Sequence, residues 1–376
     1  MNRSKNNLKS YVISALWLPI LIGCDRNSSA GSTQSGTPET PNLDRANSGP
    51  VENIETSERI EAAALVEATS PFQQDLKRFT AEIRGAFDEK KFDLLEAKAK
   101  EFRDSKELFP DGTWKLTRFY EAIGKRFHSG DAGYLADLAT YESWEAAHPD
   151  STTRRVALVD FLTAYAWHAR GNGYAHTVTD EGRRLMGERL GHAWKISQTL
   201  RQAEEKDPYG YEMAVIAAMG LGLEASEFES ILAESRSHFP TYYPVEVRRA
   251  YSLLPRWYGK EGDWEAFAMA VSKLEGGLGD EAYVRILMNL KKYYANIFRD
   301  SDADWAKAKR GLEVLNQKYP DSLQIQNFSA YFAVLGEDRQ MAGEYFDKLG
   351  DAYLTEVWDK PERFVHFRTW ARTGQW

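Results

Sequence analysis

Ser151-Thr-Thr-Arg-Arg-Val-Ala-Leu-Val-Asp-Phe-Leu-Thr-Ala-Tyr-Ala-Trp-His-Ala-Arg-Gly171 decides the fold class of this chain. Leu158, Phe161, Leu162, Tyr165 and Ala169 recur at i, i+3, i+4, i+7 and i+11, the spacing that lines up apolar side chains on one face of an α-helix. Asp150 or Ser151 can cap the start, and Gly171 can end it. With Leu158 at zero on a helical wheel, the other four fall within about 60° of it, whereas Trp167 falls at about 180° and Arg170 at about 120°. Trp167 therefore points off the main stripe, either against a neighbouring helical unit or toward a ligand.

The same spacing continues in the sequence around this helix. From about Glu58 to Trp376 amphipathic helices follow one another with hardly any alternating β-branched runs, so the reading is all-α. A body of about 319 residues can bury a large core without disulfides or a structural metal. Five prolines stand at similar junctions, in Phe109-Pro110-Asp111, His148-Pro149-Asp150, Asp207-Pro208-Tyr209, Phe239-Pro240-Thr241 and Tyr319-Pro320-Asp321. Proline cannot continue a helix and disfavours helical geometry in the residue before it, so each marks the end of one helical hairpin and the start of the next. Their spacings are 39, 59, 32 and 80 residues. The longest is about two units of a repeat of about 34 residues, and 59 requires an insertion or an extra helix. Eight residues before each proline stand Phe102, Tyr141, Leu200, Leu232 and Leu312, and fifteen before stand Leu95, Tyr134, Ala193, Ala225 and Trp305. All are apolar, in a chain that is 43% hydrophobic.

Trp305, Ala308, Leu312 and Leu315, running to Pro320, resemble the second helix of a tetratricopeptide repeat. Leu335-Gly-Glu-Asp338 with Ala342 and Phe346 resembles the turn and second helix that follow. The resemblance implies an irregular α-α solenoid of tetratricopeptide-like helical hairpins over residues 58–376, with a concave face suited to an extended partner. Elsewhere the pattern is degenerate, because the glycine and alanine that let paired helices approach closely are often missing. Residues 150 to 270 resemble an uncharacterised bacterial tetratricopeptide-like domain family. They include two segments rich in aromatic and basic residues, Tyr165-Ala-Trp-His-Ala-Arg-Gly-Asn-Gly-Tyr174 and Leu253-Leu-Pro-Arg-Trp-Tyr-Gly-Lys-Glu-Gly-Asp-Trp264. That resemblance implies the fold and assigns no catalytic residue.

The N-terminus carries a different message. Arg3, Lys5 and Lys9 precede an apolar run from Tyr11 to Ile22 that is shorter than the ~20 residues needed to span a bilayer. The run ends at Leu21-Ile-Gly-Cys24, which resembles the lipobox of bacterial lipoproteins. The resemblance implies that residues 1–23 are a cleaved signal peptide and that Cys24, the single cysteine, is acylated. Two or more acyl chains give stable membrane anchoring, since each buried CH₂ contributes ~0.8 kcal/mol. Asp25 resembles an inner-membrane retention signal; an outer-membrane location is the alternative. Residues 24–57 are dominated by Ser, Thr, Asn, Gly, Pro and Glu and hold too few apolar side chains to offset chain entropy, which predicts a disordered linker with an r.m.s. span of roughly 30 Å.

The formal charge of −8 becomes about −11 once the three leader cations are removed, and no Lys/Arg-rich block exists to neutralise phosphates, which argues against nucleic acid. Four of the seven histidines, His148, His168, His176 and His192, lie in one region, but no His-Glu-x-x-His pattern occurs and no metal is expected. His176 with Asp180 is a spacing that recurs by chance in a chain this long, and Gly171-Asn-Gly173 and Gly276-Gly-Leu-Gly279 lack the strand that a phosphate-binding loop follows. No cofactor is implied. The leading expectation is a membrane-tethered periplasmic scaffold that binds an envelope protein or peptide. The alternative is a small-ligand binder or enzyme with a pocket around Trp167, Arg170, Tyr174 and Arg256, to which His168 and Trp257 are added as binding candidates. A purely structural envelope protein is a third reading.

Overall fold

A computed structural model describes residues 56–68, 70–124, 128–171 and 177–376. The leader, Cys24 and all of the linker up to residue 55 lie outside the described residues. Among the described residues there are seventeen α-helices, and the one extended pairing is an isolated bridge between Leu108 and Trp114. The chain is all-α.

In order, the helices are α1 (Thr56–Ala64), α2 (Pro71–Asp88), α3 (Phe92–Ser105), α4 (Lys115–Gly124), α5 (Asp131–Ala147), α6 (Thr152–Arg170), α7 (Asp180–Gln202), α8 (Pro208–Leu221) and α9 (Ala225–His238). They continue as α10 (Pro244–Ser252), α11 (Asp263–Val271), α12 (Asp280–Leu290), α13 (Trp305–Lys318), α14 (Leu323–Leu335), α15 (Arg339–Leu349), α16 (Thr355–Trp358) and α17 (Pro361–Thr373). From α4 onward even-numbered helices form an inner layer and odd-numbered helices an outer one. The inner helices from α6 to α16 each pack on the outer helix that follows, and successive inner helices pack on one another from α4 to α12. Burial follows the layers. Every residue of α8 from Pro208 to Met219 is buried, whereas α9 buries only Phe228, Ile231, Leu232 and Ser235.

The local chemistry explains where these helices begin. Ser151 Oγ accepts the Arg154 N–H at 2.8 Å, Asp304 accepts that of Lys307 at 2.9 Å, and Asp338 accepts that of Met341 at 3.0 Å. Each satisfies a donor that the first helical turn leaves open. Pro110, Pro149, Pro240 and Pro320 fall between an outer helix and the next inner one, and Pro208 is the first residue of α8. The 80-residue gap holds two hairpins, and the junction without proline, between α11 and α12, turns through Gly276 and Gly279 at positive φ. Among the described residues the 59-residue gap holds two long helices, α6 and α7, of 19 and 23 residues. Of the ten apolar register positions, Ala225 is the exception, exposed as the first residue of α9, and Trp305 is half-buried.

Two aromatic-rich cores result, and α6 joins them. Its stripe of Leu158, Phe161, Leu162 and Tyr165 packs into the core built with α2 to α5, while Trp167 belongs to the second core, which runs from α8 to α17. The off-stripe position of Trp167 is thus the mark of a helix covered on two sides.

The stack curls until its ends touch. The Ala68 N–H donates to the Tyr353 carbonyl at 3.0 Å, and the Thr355 N–H donates to Glu67 Oε1 at 2.9 Å. The helix α1 lies on α17, with buried Glu58 3.2 Å from His366 Nδ1 and Glu61 paired to Arg368. Arg285 on α12 also reaches back to the Asp111 carbonyl at 3.2 Å, ahead of α4. Gly112 makes that approach possible: it has φ +77°, and a Cβ there would collide with the Arg285 guanidinium and the Tyr319 ring.

Candidate functional site

The curl leaves a cavity of about 430 Å³ between the inner helices. Its walls are polar to an extent that a packing void is not. Arg118 and Glu121 enter from α4, Asp160 from α6, Glu212 from α8, Arg248 from α10 and Arg285 from α12. Most of these charges are paired. Arg118 donates to Glu121 at 2.8 Å, Arg248 Nε donates to Glu212 Oε1 at 2.8 Å, and the Tyr242 hydroxyl donates to Glu212 Oε2 at 2.8 Å. Asp160 accepts the Tyr209 hydroxyl at 2.7 Å, and Arg285 pairs with Glu281 at 2.9 Å. Buried carboxylates require such partners, because an ion removed from water without one costs several kcal/mol.

Two more cations follow α12. Lys291 and Lys292 both line the cavity, and both have ammonium pKa values pushed down to about 8. For Lys291 the main cause is burial. It donates to the neutral Val357 carbonyl at 2.7 Å and lies 4.8 Å from the Tyr331 ring centre. For Lys292 the causes are the surrounding protein and then the positive charges of Arg248, Arg256 and Lys291. Its side chain keeps accessible surface at the cavity wall. Glu356, across the cavity beside Gln324, has its carboxyl pKa raised by burial.

Beneath this wall lie buried groups with no hydrogen-bond partner, among them Thr163 Oγ1, Trp167 Nε1, Asn289 Nδ2 and Arg256 Nε. Each such group forgoes about 1–3 kcal/mol of hydrogen bonding.

Of the described residues singled out in the sequence as a site, Trp167 lines the cavity, and Arg170, Arg256, Trp257 and His168 do not. Trp167 is buried, lines the cavity, and stands edge-on to Trp257 at 6.0 Å, with the Arg170 guanidinium 5.7 Å from its ring centre. Trp257 is buried beside Tyr251, and Arg256 stacks 5.2 Å from the Tyr293 ring centre. His168 is not part of this group. It points to the other side of α6, packing 4.6 Å from Tyr134 with Nε2 3.7 Å from Asp131. Tyr174 and His176 lie outside the described residues. His148 pairs instead with Asp93 at 3.0 Å, and His192 is exposed. Among the described residues no cluster of three or more His, Cys, Asp or Glu side chains is placed to hold a metal ion, and no helix is long and apolar enough to cross a membrane.

Sequence reading missed Arg118, Glu212, Arg248, Asn289, Lys291 and Lys292. The available signal was Lys291-Lys292-Tyr293-Tyr294, a basic and aromatic run closing the largely buried helix α12. No family model, no curated protein and no solved structure matches this chain.

Proposed function

We propose that this protein is a membrane-tethered, periplasm-facing binding protein whose inner-helix cavity captures a small polar ligand. The cavity carries this reading. A volume of about 430 Å³ lies within the range of about 300–1,000 Å³ typical of small-molecule sites, where a few placed polar groups orient the ligand. The two ends of the stack meet, and the cavity lies between the inner helices, which favours a small ligand over the scaffold reading. The lipobox-like Leu21 to Cys24 and the polar linker support the tether. They would let the body work roughly 30 Å or more from the membrane surface.

A cavity-filling variant tests the proposal. Ala164 lines the cavity and is only partly buried. Ala164→Phe should occupy the ligand's space while leaving the helix intact. The full chain, purified in detergent, should gain thermal stability when the small-molecule fraction of an envelope extract is added, and Ala164→Phe should gain none. Equal shifts in both proteins, or no shift in either, would refute the reading.

A further inference from the structure

We propose that the cavity takes an uncharged, polyhydroxylated ligand, a small sugar or the end of a sugar chain, seated between Thr163 and Trp167 of α6 and Asn289 of α12. The inference rests on reading the cavity as a ligand site and names the class of molecule that fits it.

Charge balance is the first argument. Among the described residues the lining holds five acidic and five basic side chains, so neither sign is in excess. Glu121, Glu212 and Asp160 are taken by the partners described above. Asp359 pairs with Arg363 at 2.6 Å, and Glu356 accepts from Gln324 at 2.8 Å. Arg285 and Lys291 are likewise engaged, with Glu281 and with the Val357 carbonyl. An ion brought to this wall would have to break one of these pairs or stay uncompensated, and that cost falls on a charged ligand alone.

The groups left open are the second argument, and they are neutral. Thr163 Oγ1, Trp167 Nε1 and Asn289 Nδ2 belong to lining side chains that are 5%, 8% and 8% exposed, and none has a hydrogen-bond partner. Thr163 and Trp167 stand one turn apart on the same side of α6, so their open groups share one stretch of wall. Asn289, in the last turn of α12, adds a third from another helix. The indole and amide nitrogens only donate, whereas the hydroxyl donates or accepts. The carboxylates of the wall still accept, because an ionised carboxylate offers about four lone-pair sites. A ligand hydroxyl can accept from the first set and donate to the second, and a sugar carries several hydroxyls on one frame. Waters meet these groups singly; linked hydroxyls meet several for one loss of translational freedom. The C–H faces of a sugar ring suit the apolar part of the lining, which includes Ile216, Val247, Met288 and Phe328.

Calorimetric titration of the full chain, held in a detergent without a sugar head group, decides the matter. The probes are glucose and galactose, each beside its 2-amino and its uronic-acid form. At least one neutral sugar should bind, and its two charged forms should bind at least about tenfold more weakly. Thr163→Val and Asn289→Leu should each weaken that sugar about fivefold, the value of one ordinary hydrogen bond. Their urea midpoints should stay level or rise, because each change removes a buried polar group that has no partner. The β-1,4-linked hexamer of the sugar separates the two sources: binding equal to the monomer identifies a chain end, and weaker binding identifies a free sugar. Charged forms binding as tightly as their neutral parent, no binding by either sugar, affinity unchanged in both variants, or a fall in both midpoints would overturn the proposal. The cavity reading is judged separately, by the thermal shift that Ala164→Phe removes.

Discussion

Truncating Trp167 gives the most direct access to the relation between core and cavity. The side chain is 8% exposed, belongs to the core that runs from α8 to α17, and meets the edge of Trp257. Removing a buried tryptophan side chain costs about 3–5 kcal/mol, from lost transfer energy and from the void left behind. One side of this ring already faces an existing cavity, so fewer contacts are lost there and the low end, ~3 kcal/mol, is expected for Trp167→Ala. Trp167→Phe should cost only ~1 kcal/mol. The indole Nε1 makes no hydrogen bond, so the smaller ring forfeits volume but no polar contact. Urea titration followed by far-ultraviolet circular dichroism measures both. A loss below about 0.5 kcal/mol for Trp167→Ala is what exposed positions show. That result would mean that α6 does not join the two cores and that the cavity wall is misplaced.

Three further outcomes are expected. Asp207 accepts the Tyr120 hydroxyl at 2.6 Å, Arg103 at 3.0 Å and the Tyr209 N–H at 2.9 Å; Asp207→Ala should cost about 3–5 kcal/mol by stranding buried Arg103, and Asp207→Asn should recover only the cap, so equal losses would contradict the network. Lys291 and Lys292 have folded pKa values lowered from 10.5 to about 8; the unfolded chain binds more protons between these values, so stability should rise from pH 8 until tyrosine ionisation in the unfolded state reverses the trend near pH 10, and a slope undiminished in Lys291→Met would exclude Lys291 as a source. Cys24→Ser should release the protein from membranes during a carbonate wash, and retention at wild-type levels would refute the lipid anchor.

Helix-forming periodicity was legible because it is local. The stripe of Leu158, Phe161, Leu162 and Tyr165 needs only helical spacing, and the five prolines need only their own ring chemistry to mark junctions between hairpins. Trp167 was legible as an anomaly, and its cause lay in packing: a helix between two cores has two apolar faces and so a blurred pattern. The cavity was hardly legible. Arg118, Glu212, Arg248 and Lys292 lie on four segments that meet only because the stack curls, and the contacts that close it, from Glu67 to Thr355 and from Arg285 to the Asp111 carbonyl, join residues far apart in sequence. His168 shows the converse error. It neighbours Trp167 in the chain, but one residue along a helix is about 100° of rotation, enough to place it against α5 instead.

The charges that follow α12 also carry a cost to the fold. Keeping Lys291 protonated at neutral pH costs about 3 kcal/mol relative to water, from a downward shift of roughly two and a half pKa units. That is a large fraction of a typical folding stability of about 5–15 kcal/mol. A methionine of similar length would fill the same space beside Tyr331 and Phe328 without that cost, and Asn289 could likewise be replaced by an apolar residue that leaves no donor unbonded. Local features that oppose stability concentrate where binding requires them. The aromatic cores on either side, joined by Trp167 and α6, supply the surplus that lets the fold hold such groups beside the cavity.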